Sequence, residues 1–451
     1  MPQENTIDVQ ALINNSRFST YQWLILGMCF LTVALDGFDT AIVGYIAASL
    51  VQEWGIEKTS LGPVMSAALV GLAVGALTAG PLADRIGRRK VLILSLLVFG
   101  GFSLLTAFAT NLSMLTLLRF LTGLGLGAAM PNAATLMSEY APERRRALLV
   151  NLMFCGFPLG SSLGGFVSAW LIPHFGWQSV LILGGVAPLL LALVLIAALP
   201  ESVRFMVLHR YPAERIAAVL RRISPQQLVA PLRFTLNEQG AKTEKSALRV
   251  IFSPHYLRGT LMLCLTYFMG LMIFYLLTSW LPLLIRESGA SLRQASLITA
   301  LFPLGGGIGV LVIGWLMDRM NPHKVVAVGY LLTALFVFAI GFVNTNPVLM
   351  GGVVFIAGVC MNGAQSSMPA LAAGYYPTNG RATGVAWMLG IGRFGGILGA
   401  MSGGLLMQLQ LSFSVIFTLL AIPALVAALA LMIKHFSLSK PALLGSLNKA
   451  Q

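Results

Sequence analysis

Apolar stretches of roughly twenty residues, each long enough to cross a bilayer core of about 30 Å as a helix, recur all along this chain. They fall near 22–48, 60–80, 91–109, 112–136, 147–172, 177–199, 257–284, 292–316, 325–343, 347–372, 382–407 and 412–433, numbered below as spans 1–12. Backbone left unpaired against lipid is not viable, so the spans must be helices packed as a bundle. The chain is 57% hydrophobic and 10% charged. Soluble domains carry about a quarter of their residues charged, which excludes that class here. The expected fold is an all-α membrane protein of twelve transmembrane helices.

The one long polar stretch, 200–255, divides the spans into six and six. The expected organisation is a cytoplasmic tail over 1–20, a six-helix bundle over 21–199, a cytoplasmic loop over 200–255, a second bundle over 256–433 and a tail over 434–451. Within the loop, 212–223 has the pattern of a short surface helix.

A net charge of +14 invites a nucleic-acid partner, but its placement argues against one. With the N-terminus inside, all but five of the 29 Lys+Arg map to cytoplasmic segments: Lys58, Arg286 and Arg293 lie outside, and Arg119 and Arg393 lie within spans. This is the positive-inside asymmetry, so the basicity reports orientation, with both termini cytoplasmic. Residues 1–20 carry Glu4 and Asp8 and lack the order of a cleavable signal peptide. Cys29, Cys155, Cys264 and Cys360 lie in spans at no metal-ligand spacing and read as small apolar fillers. No Walker A run, HExxH or Cys/His cluster occurs, which disfavours an ATP-driven pump, a metalloenzyme and a metal site.

Apart from Arg258 and Arg293 at the very edges of spans 7 and 8, only Asp36, Asp39, Arg119 and Arg393 place charge inside the spans. Such a charge costs about 2.5–3.5 kcal/mol at the bilayer centre on insertion scales, so each needs a polar interior or a chemical role. Asp36 and Asp39 lie about 60° apart on one helix face. Two carboxylates this close in a poorly solvated site resist double ionisation, and such a pair can hold a proton near neutral pH. The five histidines map to loops or span ends, which removes the usual alternative proton carrier. The competing interpretation of the acids is structural, a hydrogen bond across helices. Arg393, crowded by Gly390, Gly392, Gly395 and Gly396, can receive a carboxylate bidentately. Arg119 has two roles open to it: ligand contact, or an internal pair with Asp36 or Asp39. Asn362 and Gln365 share a face of span 10, and Tyr267, Phe268, Phe274 and Tyr275 populate span 7. Amides can bond a ring hydroxyl and aromatic side chains can stack on the ring; Trp387 is a weaker candidate.

The halves repeat. GPLADRIGRRK (80–90) recurs as GWLMDRMNPHK (314–324), and YAPERRR (140–146) as YYPTNGR (375–381), so that Asp84 pairs with Asp318 and Pro142 with Pro377. Gly160 and Gly164 match Gly395 and Gly399, all at an offset of 234 or 235 residues. Parallel repeats of this sort build transporters around a central site.

GPLADRIGRRK, its second copy, RFLTGLGLG in span 4 and LPESVRF after span 6 resemble the signatures of the major facilitator superfamily. LDGFDT in span 1, MPNAATLMSEYAPERRR after span 4, FCGFPLG in span 5, YFMGLMIFYLLTSWLP in span 7 and NGAQSSMPALAAGYYPTNGRATGVAWMLGIGRFG across spans 10–11 resemble its aromatic acid:proton symporters. The likeness is nearest to bacterial permeases of 4-hydroxybenzoate, protocatechuate, gallate and vanillate type. It implies two six-helix bundles, alternating access, import of an aromatic carboxylate with protons across the bacterial inner membrane, and no cofactor beyond the proton gradient. A monomer in membrane lipid is expected. The resemblance makes the Asp36–Asp39 element necessary for transport. It also favours gating for Gly80, Asp84 and Arg85, within a cytoplasmic latch that adds Gly87, Arg88, Glu139, Asp318, Arg319 and Arg381. Gly80 is expected to permit a tight turn there. The alternatives are a proton symporter for another organic acid or a sugar, and a membrane chemosensor for aromatic acids.

Overall fold

The computed structural model describes residues 5–224, 232–235, 244–343 and 345–447. Among them, twelve helical segments are long and apolar enough to cross a membrane: Thr20–Trp54, Lys58–Ile86, Arg88–Thr106, Leu112–Tyr140, Glu143–Phe175 and Gln178–Ala198, then Pro254–Glu287, Leu292–Arg319, Pro322–Ile340, Pro347–Tyr375, Thr383–Gln408 and Phe413–His435. These are spans 1–12. Span 5 is interrupted at Cys155, between helices Arg146–Phe154 and Gly156–Phe175.

The chain falls into two compact units. One comprises Met1–Thr40, Val70–Gly160 and Gln178–Ala241; the other comprises Ala41–Leu69, Ser161–Trp177 and Lys242–Gln451. The later residues of spans 1 and 5 and the earlier residues of span 2 thus belong with the second unit. Inside that unit Lys58 pairs with Glu287 at 2.6 Å, Arg286 donates to Gln52 at 3.2 Å and the Trp177 indole donates to Glu53 at 2.7 Å.

Glycines set how closely the helices approach, and they do so twice. In the first unit, a Cβ on Gly71 or Gly75 of span 2 would run into the carbonyls of Phe120 and Leu124 on span 4. In the second, Gly305 and Gly309 of span 8 meet Phe355 and Val359 of span 10 in the same way. Gly160 seats span 5 on Ala34 of span 1, as Gly395 seats span 11 on Phe268 of span 7. Every one of these pairs is related by the offset of 234 or 235 residues, so the repeat in the sequence is a repeat of packing. Without a hydrophobic force between helices in lipid, close backbone contact of this kind is what holds spans together.

The segment at 1–20, expected as a tail, carries structure. Strand β1 (Asn5–Asp8) pairs in parallel with β2 (Leu232–Thr235). Asp8 then caps helix Val9–Asn15 through the amides of Gln10 and Ala11, and Val9, Leu12 and Ile13 are buried. They join a core with Leu96, Phe99 and Leu136, together with Ile216 and Leu220 of helix Ala213–Arg221. That helix is the short one expected at 212–223, and Pro212 stands at its N-cap.

Candidate functional site

Asp36 and Asp39 are both 1% exposed. Between them Gly37 lies against the Phe157 carbonyl of span 5, where any side chain would clash. The Asp39 carboxylate has two donors: the Ser103 hydroxyl of span 3 at 2.7 Å on Oδ1, and the Arg119 guanidinium of span 4 at 2.7 Å on Oδ2. Arg119 itself is fully buried. Of its two expected roles the structure realises the internal pair. Among the described residues, its Nε and its other terminal nitrogen find no hydrogen-bond partner. Asp36 accepts from the Thr40 hydroxyl at 3.4 Å on its own helix. Both Asp39 oxygens are thus engaged, Oδ1 by a hydroxyl and Oδ2 by a cation.

The second unit holds the remaining polar groups. Gln365 and Asn362 are buried on span 10, and Tyr267, Tyr275 and Arg393 are half-buried on spans 7 and 11. Tyr267 lies within electrostatic reach of Arg393 and beside Gln365. Its ring covers Gly392, one residue before Arg393, and the Tyr275 ring covers Gly396. Of the four glycines predicted to allow a close approach to Arg393, Gly392 and Gly396 are thus covered by these rings and Gly395 meets the Phe268 carbonyl, while a Cβ on Gly390 would meet nothing within 4 Å. Asn362 packs on Gly306 and donates to the Gly358 carbonyl at 3.1 Å. Gln365 accepts from Tyr330 of span 9 at 2.6 Å. Phe274 packs edge-on against Tyr275, and the exposed Trp387 packs against Phe252.

The loop after span 2 requires a correction. The helix runs unbroken through Gly80 and Pro81 to Ile86, so Gly80 makes no turn. The chain turns at Gly87, whose φ of +101° is the left-handed conformation that favours glycine. A Cβ there would also meet the Glu201 carboxylate. Glu201 accepts from the Arg89 amide at 3.1 Å and so supplies the cap that glycine cannot give the N-terminus of span 3. Tyr140 in turn donates to the Glu201 carbonyl at 2.5 Å, and the Gln22 amide donates to the Tyr140 carbonyl at 2.7 Å. Arg88 pairs with Asp84 at 2.9 Å and Glu139 at 3.5 Å. In the second copy Asn321 caps span 9 through the amides of His323 and Lys324. Arg319 stacks on Trp315 at 4.1 Å, and among the described residues Asp318 has no ion pair within 4.0 Å. Arg85, Asp318 and Arg381 are exposed.

Ser103, Glu201, Tyr140 and Tyr330 were not singled out from the sequence. Each lies far along the chain from its partner; the presence of Glu201 inside LPESVRF and of Tyr140 at the head of YAPERRR were the signals available. Among the described residues no cluster suits a metal ion.

Twelve apolar helices, built as two copies of one packing pattern around buried polar clusters, define a multi-pass membrane transporter. The chain belongs to the Major Facilitator Superfamily, whose pattern it matches over residues 29–289 and 263–450. It is 56% identical to the 4-hydroxybenzoate transporter PcaK of Pseudomonas putida over 95% of this chain and 96% of that protein. It is 51% identical to the gallate transporter of Pseudomonas putida, with 96% of each covered. Among solved structures it is similar to the inward-open xylose transporter XylE from E. coli, with a TM-score of 0.72 at 18% identity, covering 90% of this chain and 95% of that one. That likeness speaks for the fold alone. The named relatives are transporters, not enzymes.

Proposed function

We propose that this protein imports a hydroxylated aromatic acid anion, of 4-hydroxybenzoate, protocatechuate or gallate type, together with protons by alternating access. The substrate class rests on the relatives named above. The observation that carries the coupling is the ion pair between Asp39 and Arg119, at 2.7 Å with both side chains withdrawn from solvent. Protonating Asp39 cancels its charge and strands a buried guanidinium, which costs several kcal/mol unless another anion compensates it. Asp36 on the same helix face, or the arriving substrate charge, supplies that anion. Proton and anion are thereby linked: neither occupies the protein cheaply without the other.

Arg393 receives the carboxylate as a charge-assisted fork, Tyr267 and Tyr275 flank the ring, and Gln365 and Asn362 provide the amides. The pairs at Asp84, Arg88 and Glu139, with Arg85, Arg319, Asp318 and Arg381, serve as the cytoplasmic latch; Gly87 provides its turn. The protein resides in the bacterial cytoplasmic membrane with both termini inside, works as a monomer and uses the proton gradient in place of a cofactor. It is organised as two six-span bundles about the loop at 200–255.

Uptake of labelled 4-hydroxybenzoate, protocatechuate, vanillate and gallate into proteoliposomes under an imposed inward proton gradient tests this reading. Accumulation of at least one of them, abolished by a protonophore, is expected. Uptake of none under any pH step refutes it.

A further inference from the structure

Tyr330 lies at the middle of span 9, fully buried and outside every motif that marks the site. Its hydroxyl donates to Gln365 Oε1 at 2.6 Å. The other end of that amide faces span 7, where Nε2 lies 3.5 Å from the Tyr267 carbonyl. A carbonyl can only accept, so the NH2 end must face it; a flipped amide would set two carbonyl oxygens together. Tyr330 then takes the oxygen end and completes the lock. Gly270 makes the arrangement possible, because a Cβ there would collide with both Gln365 Oε1 and the Tyr330 hydroxyl. The Gln365 carbonyl oxygen is thereby consumed inside the bundle. On the side of Tyr267, which itself lies within electrostatic reach of Arg393, the amide presents its N–H end.

We propose that Tyr330 is a positioning residue: by fixing the Gln365 amide it makes the transporter read the oxygen of a ring hydroxyl as a hydrogen-bond acceptor. The inference rests on the hydroxylated aromatic acid reading above. With the carboxylate on Arg393, a hydroxyl oxygen across the ring accepts from Gln365 Nε2. Benzoate gives that N–H no ligand oxygen and leaves it only its Tyr267 contacts in a buried place. 4-Aminobenzoate fares no better, because its nitrogen lone pair is delocalised into the ring and accepts poorly.

The test is proton-driven uptake of 4-hydroxybenzoate, benzoate and 4-aminobenzoate in proteoliposomes of the full chain. Wild type is expected to show its lowest KM for 4-hydroxybenzoate. No uptake of that acid by wild type overturns this inference, whereas the functional reading falls only if protocatechuate, vanillate and gallate are refused as well. With wild-type uptake established, Tyr330→Phe leaves the amide only its long 3.5 Å bond to the Tyr267 carbonyl, too weak to hold it in one orientation. The KM ratios of benzoate and of 4-aminobenzoate to 4-hydroxybenzoate should then each fall about tenfold, as expected when one hydrogen bond stops discriminating. A merely structural role lowers uptake of all three acids alike and leaves the ratios unmoved, which overturns the inference. In a Gln365→Leu background the ratios should already have collapsed, and adding Tyr330→Phe should change them no further. A further drop, or an intact ratio in Gln365→Leu alone, also overturns it. If Tyr330→Phe fails to accumulate in the membrane, the comparison of Gln365→Leu with the double variant, which buries no orphaned amide oxygen, decides the matter.

Discussion

In the first half of the chain, Asp39, Ser103 and Arg119 form an ionic cluster withdrawn from solvent. At the repeat offset of 234 or 235 residues the second half has Ile273, Val337 and Val354 in their places. The substitution also runs the other way. Tyr330, Asn362, Gln365 and Arg393 correspond to Leu96, Gly127, Met130 and Pro158, and the place of Asp36 is taken by Gly270. One scaffold, fixed by the same glycine contacts, therefore carries ionised groups in one copy and amides, phenols and a half-buried arginine in the other. A carboxylate paired with a buried cation answers to protons, whereas amides and phenols answer to the shape and hydrogen bonds of a ligand. On the function proposed above, the tasks are divided between the copies, which leaves each polar set free of the other's constraints while helix packing stays common to both.

The largest test of this contrast is Asp39→Asn. It strands Arg119, which cannot shed its charge, at a cost of about 3–5 kcal/mol, and proton-driven uptake should fall by at least roughly a hundredfold. Arg119→Met should be milder on the amount of protein in the membrane, because the aspartate left behind can neutralise itself by taking a proton. Equal loss in the two variants, measured by quantitative immunoblotting of membranes, would contradict that asymmetry.

In the second half, Arg393→Ala should abolish uptake, and Arg393→Lys should raise the KM at least tenfold because a point charge replaces a planar fork. Unchanged uptake kinetics in both would remove Arg393 from the ligand site. The shared scaffold makes a smaller prediction. Gly160→Ala and Gly395→Ala drive a Cβ into matching carbonyls, of Ala34 and Phe268, and each should destabilise by about 1–3 kcal/mol. Thermal unfolding of the purified variants in detergent reads this, and an effect in one alone breaks the equivalence.

The smallest difference is expected at the repeated loops. Asp84 holds Arg88 at 2.9 Å while its own side chain is 71% exposed, so Asp84→Asn should lower the transport rate several-fold with normal membrane insertion. Asp318→Asn, which breaks no ion pair among the described residues, should do less. A larger effect at Asp318 would reverse the ranking of the two loops.

Much of this was legible because bilayer physics acts on local sequence. An apolar run of sufficient length must become a helix, and the existence and order of the spans followed from that alone. The candidate list was legible for the same reason, since Asp36, Asp39, Arg119 and Arg393 stand out against spans that otherwise exclude charge. The partners were not. Ser103 and Tyr330 look like ordinary helix residues until spans 3 and 9 are packed, because a hydroxyl within a helix can also bond its own backbone, as Ser95 does to Val91 at 2.7 Å. Gly80 misled for a related reason. Glycine in a small-residue run permits a turn without requiring one, and the helix continued to Ile86 until Gly87 took the left-handed conformation.

The sequence by itself determined the twelve spans, their internal repeat and the short list of ionisable groups inside them, because burying charge or unpaired backbone in lipid is too costly to occur without a pattern. Only the tertiary structure decided that Arg119 belongs to Asp39, that Glu201 caps span 3 and that Tyr330 bonds the Gln365 amide. Those choices depend on which helix faces meet at distances of about 3 Å, and hydrogen-bond geometry of that sort is fixed by packing between distant segments rather than by any local run of residues.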